Sequence, residues 1–367
     1  MSDSDSTTGP SFEETIMAHL VRLYDEEQDE QRAEDRFDED MKAAIEKATD
    51  EAVPRILEKA RELGQATIAH EETYRVGFEQ RLDDVWGDAF AKLHLVAAGC
   101  LEVGQELHRR DRSAFSEPEE LRYSTLVFLH AKGCRVVGEI RCLLRAGFGM
   151  GALSRWRTLH ELNVFSHVIA DSEPDIARRY QDHELIQNLD DAKHYTAYYD
   201  KLGYEALDSD LLPALEKRAA ELLAEHGQRF ERDYGWASPV VHGREKKGFH
   251  GLEDFAGLAH MHPFYKWACN DVHGGSKGTL ANVIPGADGK RVMLAGPTND
   301  GLADPGHATA LSLVQLTLPL ITNAANMDYM DVAMMRVLLE LATETGDAFF
   351  KAHEFVEAKK REAGVQG

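Results

Sequence analysis

Apolar residues return along this chain at intervals of three and four for most of its length, the period of an amphipathic α-helix. From Phe12, the run Ile16, Leu20 and Leu23 predicts a first helix. Met41, Ala44, Ile45 and Ala48 continue the stripe, and Pro54 predicts a restart that carries through Leu63. A longer helix is expected from about Thr67 to His108, on Phe78, Leu82, Val85, Trp86, Phe90, Leu93 and Val96. Ser113 to Pro118 punctuates the pattern. There Ser116-x-x-Glu119 fits a capping box, and Pro118 suits a first helical turn.

Beyond that break the period predicts helices over 118–146, 152–170, a third opening at Asp171-Ser-Glu-Pro174, and a fourth over 210–231. Gly147, Gly149 and Gly151 read as the end of the first of these. Periodicity fades over about 233–306, where Gly is frequent and His242, His250, His260, His262, His273 and His307 accumulate. Within it, a short helix is expected at 263–273, and Asp288-Gly289 between apolar flanks predicts a small hairpin with Pro285 on an edge. Helices at 308–326 and 328–358 close the fold. The expected class is all-α: a multi-helix bundle with an N-terminal acidic helical arm and one irregular Gly/His-rich insertion. Residues 1–10 are expected to be disordered, 11–112 to form the acidic helical region, and 113–360 the main domain.

Composition narrows the function classes. With 367 residues, 43% hydrophobic and 29% charged, a packed core is available, which excludes wholesale disorder and a disulfide-stapled miniprotein. The net charge of −23 opposes a broad basic surface for nucleic acid. Nearly half of it lies in residues 1–40, where fourteen Asp and Glu face only Arg22, Arg32 and Arg36. Such an arm is a solvated face or a contact for a basic protein partner. Cys100, Cys134, Cys142 and Cys269 form no CxxC pair and read as reduced thiols, in keeping with a cytoplasmic protein. The N-terminus carries no signal peptide pattern. The most apolar stretch, Ala308 to Met327, is interrupted by Gln315, Pro319 and Asn323, so it reads as a buried helix and no membrane contact is expected.

Two segments hold candidate chemistry. In Ser154-Arg-Trp-Arg157-Thr-Leu-His160-Glu161, Arg157 and Glu161 are four apart and share a helical face. From spacing alone, a structural ion pair within the bundle is the better reading. In the second segment Tyr265, Cys269 and His273 step by four, and His273 closes its helix beside Gly274-Gly275. It either moves protons or caps the helix by bonding a terminal carbonyl. No cofactor is expected. His260-x-His262 alone is weak for a metal, because zinc needs three or four ligands at known spacings, so no metal is expected. Neither a P-loop nor a GxSxG elbow occurs.

These segments, LLRAGF and RWRTLHEL followed about a hundred residues later by YKWACNDVHGGS, resemble an uncharacterised bacterial all-helical family with a domain of unknown function. Its marks are a helix with Arg-Thr-Leu-x-Glu and a later Tyr…Ser/Cys…His-Gly element. Arg157, Glu161, Tyr265 and His273 match them, over about residues 95–330. Cys269 stands where Ser is commoner, which argues against a hydroxyl nucleophile. The family is distantly similar to the HEPN group of phage-defence and toxin ribonucleases, and that resemblance implies a metal-independent ribonuclease or related defence effector. His273 would then be the acid or base, Arg157 the phosphate ligand, Glu161 its orienter and Tyr265 a support, with Arg155 and His160 in reserve. RNA would bind in a local positive cleft, and a homodimer is compatible. The HEPN hallmark, Arg then four to six residues then His, occurs at Arg155/His160, Arg178/His183 and Arg244/His250, no more often than chance supplies with 17 His in 367 positions. The alternative is a non-catalytic helical interaction or sensor module.

Overall fold

The computed structural model describes residues 33–241, 247–281, 283–285 and 291–362. The expected disordered N-terminus, the helix from Phe12, His242, Arg244 and the Asp288-Gly289 turn lie outside them. The chain divides into two compact units, residues 1–78 and 79–367.

The described part of the first unit is entirely helical. It belongs to α1, a single helix over Ala33–Arg109 that carries Pro54 inside it. The expected restarts at Pro54 and near Thr67 are therefore corrected. A proline forfeits one backbone hydrogen bond, at about 3 kcal/mol. The Glu, Ala, Lys, Arg and Leu residues on either side are strong helix formers, and helix propagates past the single defect.

The second unit holds the core. Its helices are the part of α1 from Glu79, α2 (Glu117–Arg145), α3 (Gly149–Ala170), α4 (Asp175–Tyr198), α5 (Leu211–His226), α10 (Ala303–Thr322) and α11 (Tyr329–Glu362). The capping box is present at α2, where the Ser116 backbone N–H donates to Glu119 Oε2 at 2.8 Å. Helix α3 is the central element. It packs on α2 and α10, and no residue from Gly151 to Ala170 is exposed. Trp156, fully buried, fixes its rotation by donating Nε1–H to Ala308 O at 3.1 Å and Ser312 Oγ at 2.9 Å. Gly149 lies in the first turn of α3 rather than ending α2, and glycine is needed there because a Cβ would come 2.4 Å from Gly301 O. Only Gly147, at φ 79°, makes the left-handed stop. Helix α10 starts earlier than the pattern predicts, since Pro305 is tolerated in a first turn.

The irregular insertion is built of short pieces: α6 (Ser238–Val241), α7 (Phe249–Phe255), α8 (His262–Val272), α9 (Ser276–Ala281) and strands β1 (Val283–Pro285) and β2 (Arg291–Met293). The strands form the expected antiparallel hairpin, with Ile284 opposite Val292. Helices α7 and α8 pack on α3, which brings the insertion against the centre of the bundle. No helix among the described residues is long and apolar enough to cross a membrane. All four cysteines are free thiols.

Two tests follow from this core. Gly133 lets α2 approach α10: a Cβ there would stand 2.2 Å from Leu316 Cδ2, and Leu316 is fully buried. Gly133→Ala is expected to cost about 1–3 kcal/mol by overpacking, read as a lowered midpoint in urea unfolding. His130, buried and bonded to Thr317 Oγ1 at 3.1 Å, has its affinity for protons pushed down by burial to a pKa of about 4. The unfolded chain protonates this group first as pH falls below about 6.5, so the stability it confers above that pH is lost progressively down to about pH 4. A His130→Leu variant should show a shallower loss of stability across that window in denaturant titrations at stepped pH.

Candidate functional site

Helix α3 turns a polar edge toward α7 and α8. Arg157 Nη2 lies 3.1 Å from Glu161 Oε1, with the two side chains 26% and 23% exposed. From α8, the Tyr265 hydroxyl donates to the same Glu161 oxygen at 2.8 Å, and its ring lies under the Arg157 guanidinium at 5.2 Å. The Arg157 Nε is buried and finds no acceptor among the described residues. Burial, and then the hydrogen bond to Glu161, raise the Tyr265 phenol above its ordinary range. Tyr234 is pushed up to about 12 by burial and by the Glu161 charge. That residue holds a left-handed backbone, φ 57°, which a bulky side chain adopts only at a cost.

Beside this group is a carboxylate with no solvent exposure. Glu253 of α7 meets three imidazoles: His160 Nε2 at 2.9 Å from Oε1, and His250 Nδ1 at 3.1 Å and His262 Nδ1 at 2.5 Å from Oε2. Burial works to raise its proton affinity. The hydrogen bonds from the three histidines overcome that and hold the carboxyl below its ordinary range. His160 is sealed and stacked on Trp156 at 5.1 Å, while His250 and His262 stay 31% and 29% exposed with ring centroids 4.0 Å apart. The Tyr265 ring lies 6.0 Å from His160 and 6.1 Å from His262, so the two groups are contiguous. Ser154 Oγ donates to Asp271 Oδ2 at 2.8 Å and ties α3 to α8.

Of the residues singled out from sequence, Arg157, Glu161 and Tyr265 come together. His273 does not join them: it is the exposed C-cap of α8, and among the described residues its side chain makes no hydrogen bond or ion pair, the capping bond included. Arg155 and His160 part company, since five residues on a helix turn about 140°. Arg155 bonds Glu139 of α2 and Thr158, whereas His160 faces Glu253. The expectation of no metal-ligating set meets a finding that sequence spacing missed. His250, Glu253 and His262 place one ligand atom each within 4.8 Å of one another. The signal for it was His250-x-x-Glu253, one helical turn, nine residues before His262. His260, of the weak His260-x-His262 spacing, is exposed and takes no part in it.

Residues 123–290 match the model of DUF5677, a family of unknown function. The span holds Arg157, Glu161, Tyr265 and His273, as expected, and also His160, His250, Glu253 and His262. No curated protein and no solved structure matches the chain.

The Arg157–Glu161 pair is testable by a double-mutant cycle. Arg157→Met leaves a three-quarters buried carboxylate held by the Tyr265 hydroxyl, whereas adding Glu161→Gln removes the charge and keeps an acceptor for Tyr265. The double variant should be more stable than Arg157→Met alone, by about 1–2 kcal/mol in urea unfolding. A double variant no more stable than the single one would remove the pair from the energetics of α3.

Proposed function

We propose that this chain is a ribonuclease whose reaction takes place where α3, α7 and α8 meet. The observation that carries this reading is the convergence of an arginine and a carboxylate–imidazole cluster from three helices at a half-open position. Arg157, His250 and His262 reach solvent, while Glu253 and His160, which hold the cluster in place, are sealed. Cleaving a phosphodiester needs a cation for the charge that builds on phosphate and a group that takes the proton of the attacking hydroxyl. Arg157 meets the first need. The imidazoles on Glu253 meet the second. Glu161 and Tyr265 position Arg157. The net charge of −23 restricts RNA to this local contact, so few phosphates are neutralised.

A second reading, a non-catalytic interaction module, is favoured by one observation. The start of α11 exposes Tyr329, Met330 and Val337 by 79%, 53% and 50%.

Purified full-length chain incubated with end-labelled single-stranded RNA should give discrete cleavage, absent when the RNA is replaced by its all-deoxy counterpart. Arg157→Ala should slow the reaction about 10²–10³-fold without changing the circular dichroism spectrum. The salt dependence of RNA binding should be shallow, with a log–log slope of about −0.7 to −1.4 for one or two phosphate contacts. RNA left intact by a folded protein hands the site to the second reading.

A further inference from the structure

We infer that His250, Glu253 and His262 form a binding site for one transition-metal ion of the zinc class, held by two imidazole nitrogens and a carboxylate oxygen. The inference goes beyond the ribonuclease reading and does not depend on it, because it rests on the ligand atoms alone.

Three features of the cluster point to an ion. First, the donors converge. His250 Nδ1 and His262 Nδ1 both aim at Glu253 Oε2, at 3.1 and 2.5 Å. Ligand atoms around a tetrahedral zinc stand about 3.3 Å apart, given bonds of about 2.0–2.1 Å. Small withdrawals of the His262 ring and of Oε2 make room for an ion between the three. Second, the carboxylate is held from behind. His160 Nε2 lies 2.9 Å from the other oxygen, Oε1, and the His160 ring is locked against Trp156. An outer partner of this kind is what fixes a ligating carboxylate in metal sites. Third, the burial is graded. Glu253 is sealed, while the two imidazoles are about 30% exposed, so an ion has an entry path and open positions for water or substrate.

The donor chemistry selects the metal. Two nitrogens and one oxygen suit zinc, cobalt(II) or iron(II), whereas calcium and magnesium call for oxygen ligands throughout. A second trio, Asp300, His353 and Glu357, also lies within ligand distance, but it already has its cation. Lys360 Nζ sits 2.6 Å from Asp300 Oδ2 and 2.8 Å from Glu357 Oε1. It serves as the internal control.

The test uses the full chain stripped with a chelator, and no RNA. Titration with cobalt(II) chloride should give visible d–d bands that saturate at one ion per chain, and zinc should displace them with the same stoichiometry. His250→Gln and His262→Gln each keep an N–H for Glu253 but supply a poor ligand. They should fold as the parent does, by circular dichroism, and bind cobalt at least 100-fold more weakly. His250→Ala and His262→Ala provide the same reading should either Gln variant unfold. His353→Ala should bind as the parent does. The inference is overturned if the parent binds no ion, if folded His250 and His262 variants bind as tightly as the parent, or if binding is lost on His353→Ala. Since binding is read without substrate, an inert protein toward RNA that holds cobalt defeats the ribonuclease reading alone. Cleavage by a protein that holds no cobalt defeats this one alone.

Discussion

A carboxylate with no exposure to water sets the terms for the second unit. Removing such a charge from solvent costs several kcal/mol even after the protein relaxes, and that cost is offset only by donors placed on both oxygens. Glu253 obtains them from three elements: His160 on α3, His262 on α8, and His250 on its own α7. The consequence reaches outward. The aperiodic segment between α5 and α8 must fold back onto the central helix, and α3 must keep one rotation. Trp156 fixes that rotation through Ala308 and Ser312 of α10, so the polar cluster and the apolar core constrain each other through adjacent turns of one helix.

This explains why α3 has almost no hydrophobic asymmetry in its sequence and yet a sharp division in space. One side is packed by α2 and α10, which Arg155, Trp156 and Asn163 meet through Glu139, Ser312 and Gln315. The other carries Arg157, His160 and Glu161 toward the insertion. A helix covered on all sides needs no solvent-facing stripe, and its polar residues are informative because each must find a partner. The aromatic rings fill the space between the partners: Phe249 lies 4.5 Å from Tyr265 and 5.9 Å from His160. They exclude water and so strengthen every charge interaction inside the cluster.

Much of the architecture was legible because helices announce themselves by period. The segments expected at 118–146, 152–170, 263–273 and 328–358 differ from α2, α3, α8 and α11 by only a few residues. Pro54 misled because a rule for breaking helices is a local cost, and long flanking runs outweigh it. Arg157, Glu161 and Tyr265 were legible as residues on faces. His273 was grouped with Tyr265 by repeated steps of four, but two such steps drift about 80° around a helix, and α8 ends at Val272 before the second is complete. Glu253 and His250 went unread for a different reason. Their helix is only seven residues long, too short to show a period, and their third and fourth partners are supplied by elements 9 and 93 positions away.

The choice of partners for Glu253 is itself informative. A buried carboxylate is most economically balanced by arginine, whose planar fork supplies two parallel hydrogen bonds and a permanent charge. This protein has such a residue at hand in Arg157 and commits it to Glu161 instead. Glu253 receives three imidazoles, which donate hydrogen bonds but carry no obligatory charge. Donors reach both oxygens of the carboxylate, and its charge has no fixed counter-ion among its hydrogen-bonded partners. A structural clamp would cancel that charge. A site meant to accept a positive group, whether a proton in transit or a metal ion, would keep it and arrange its donors so that two of them remain within reach of solvent, which is the arrangement seen in His250 and His262.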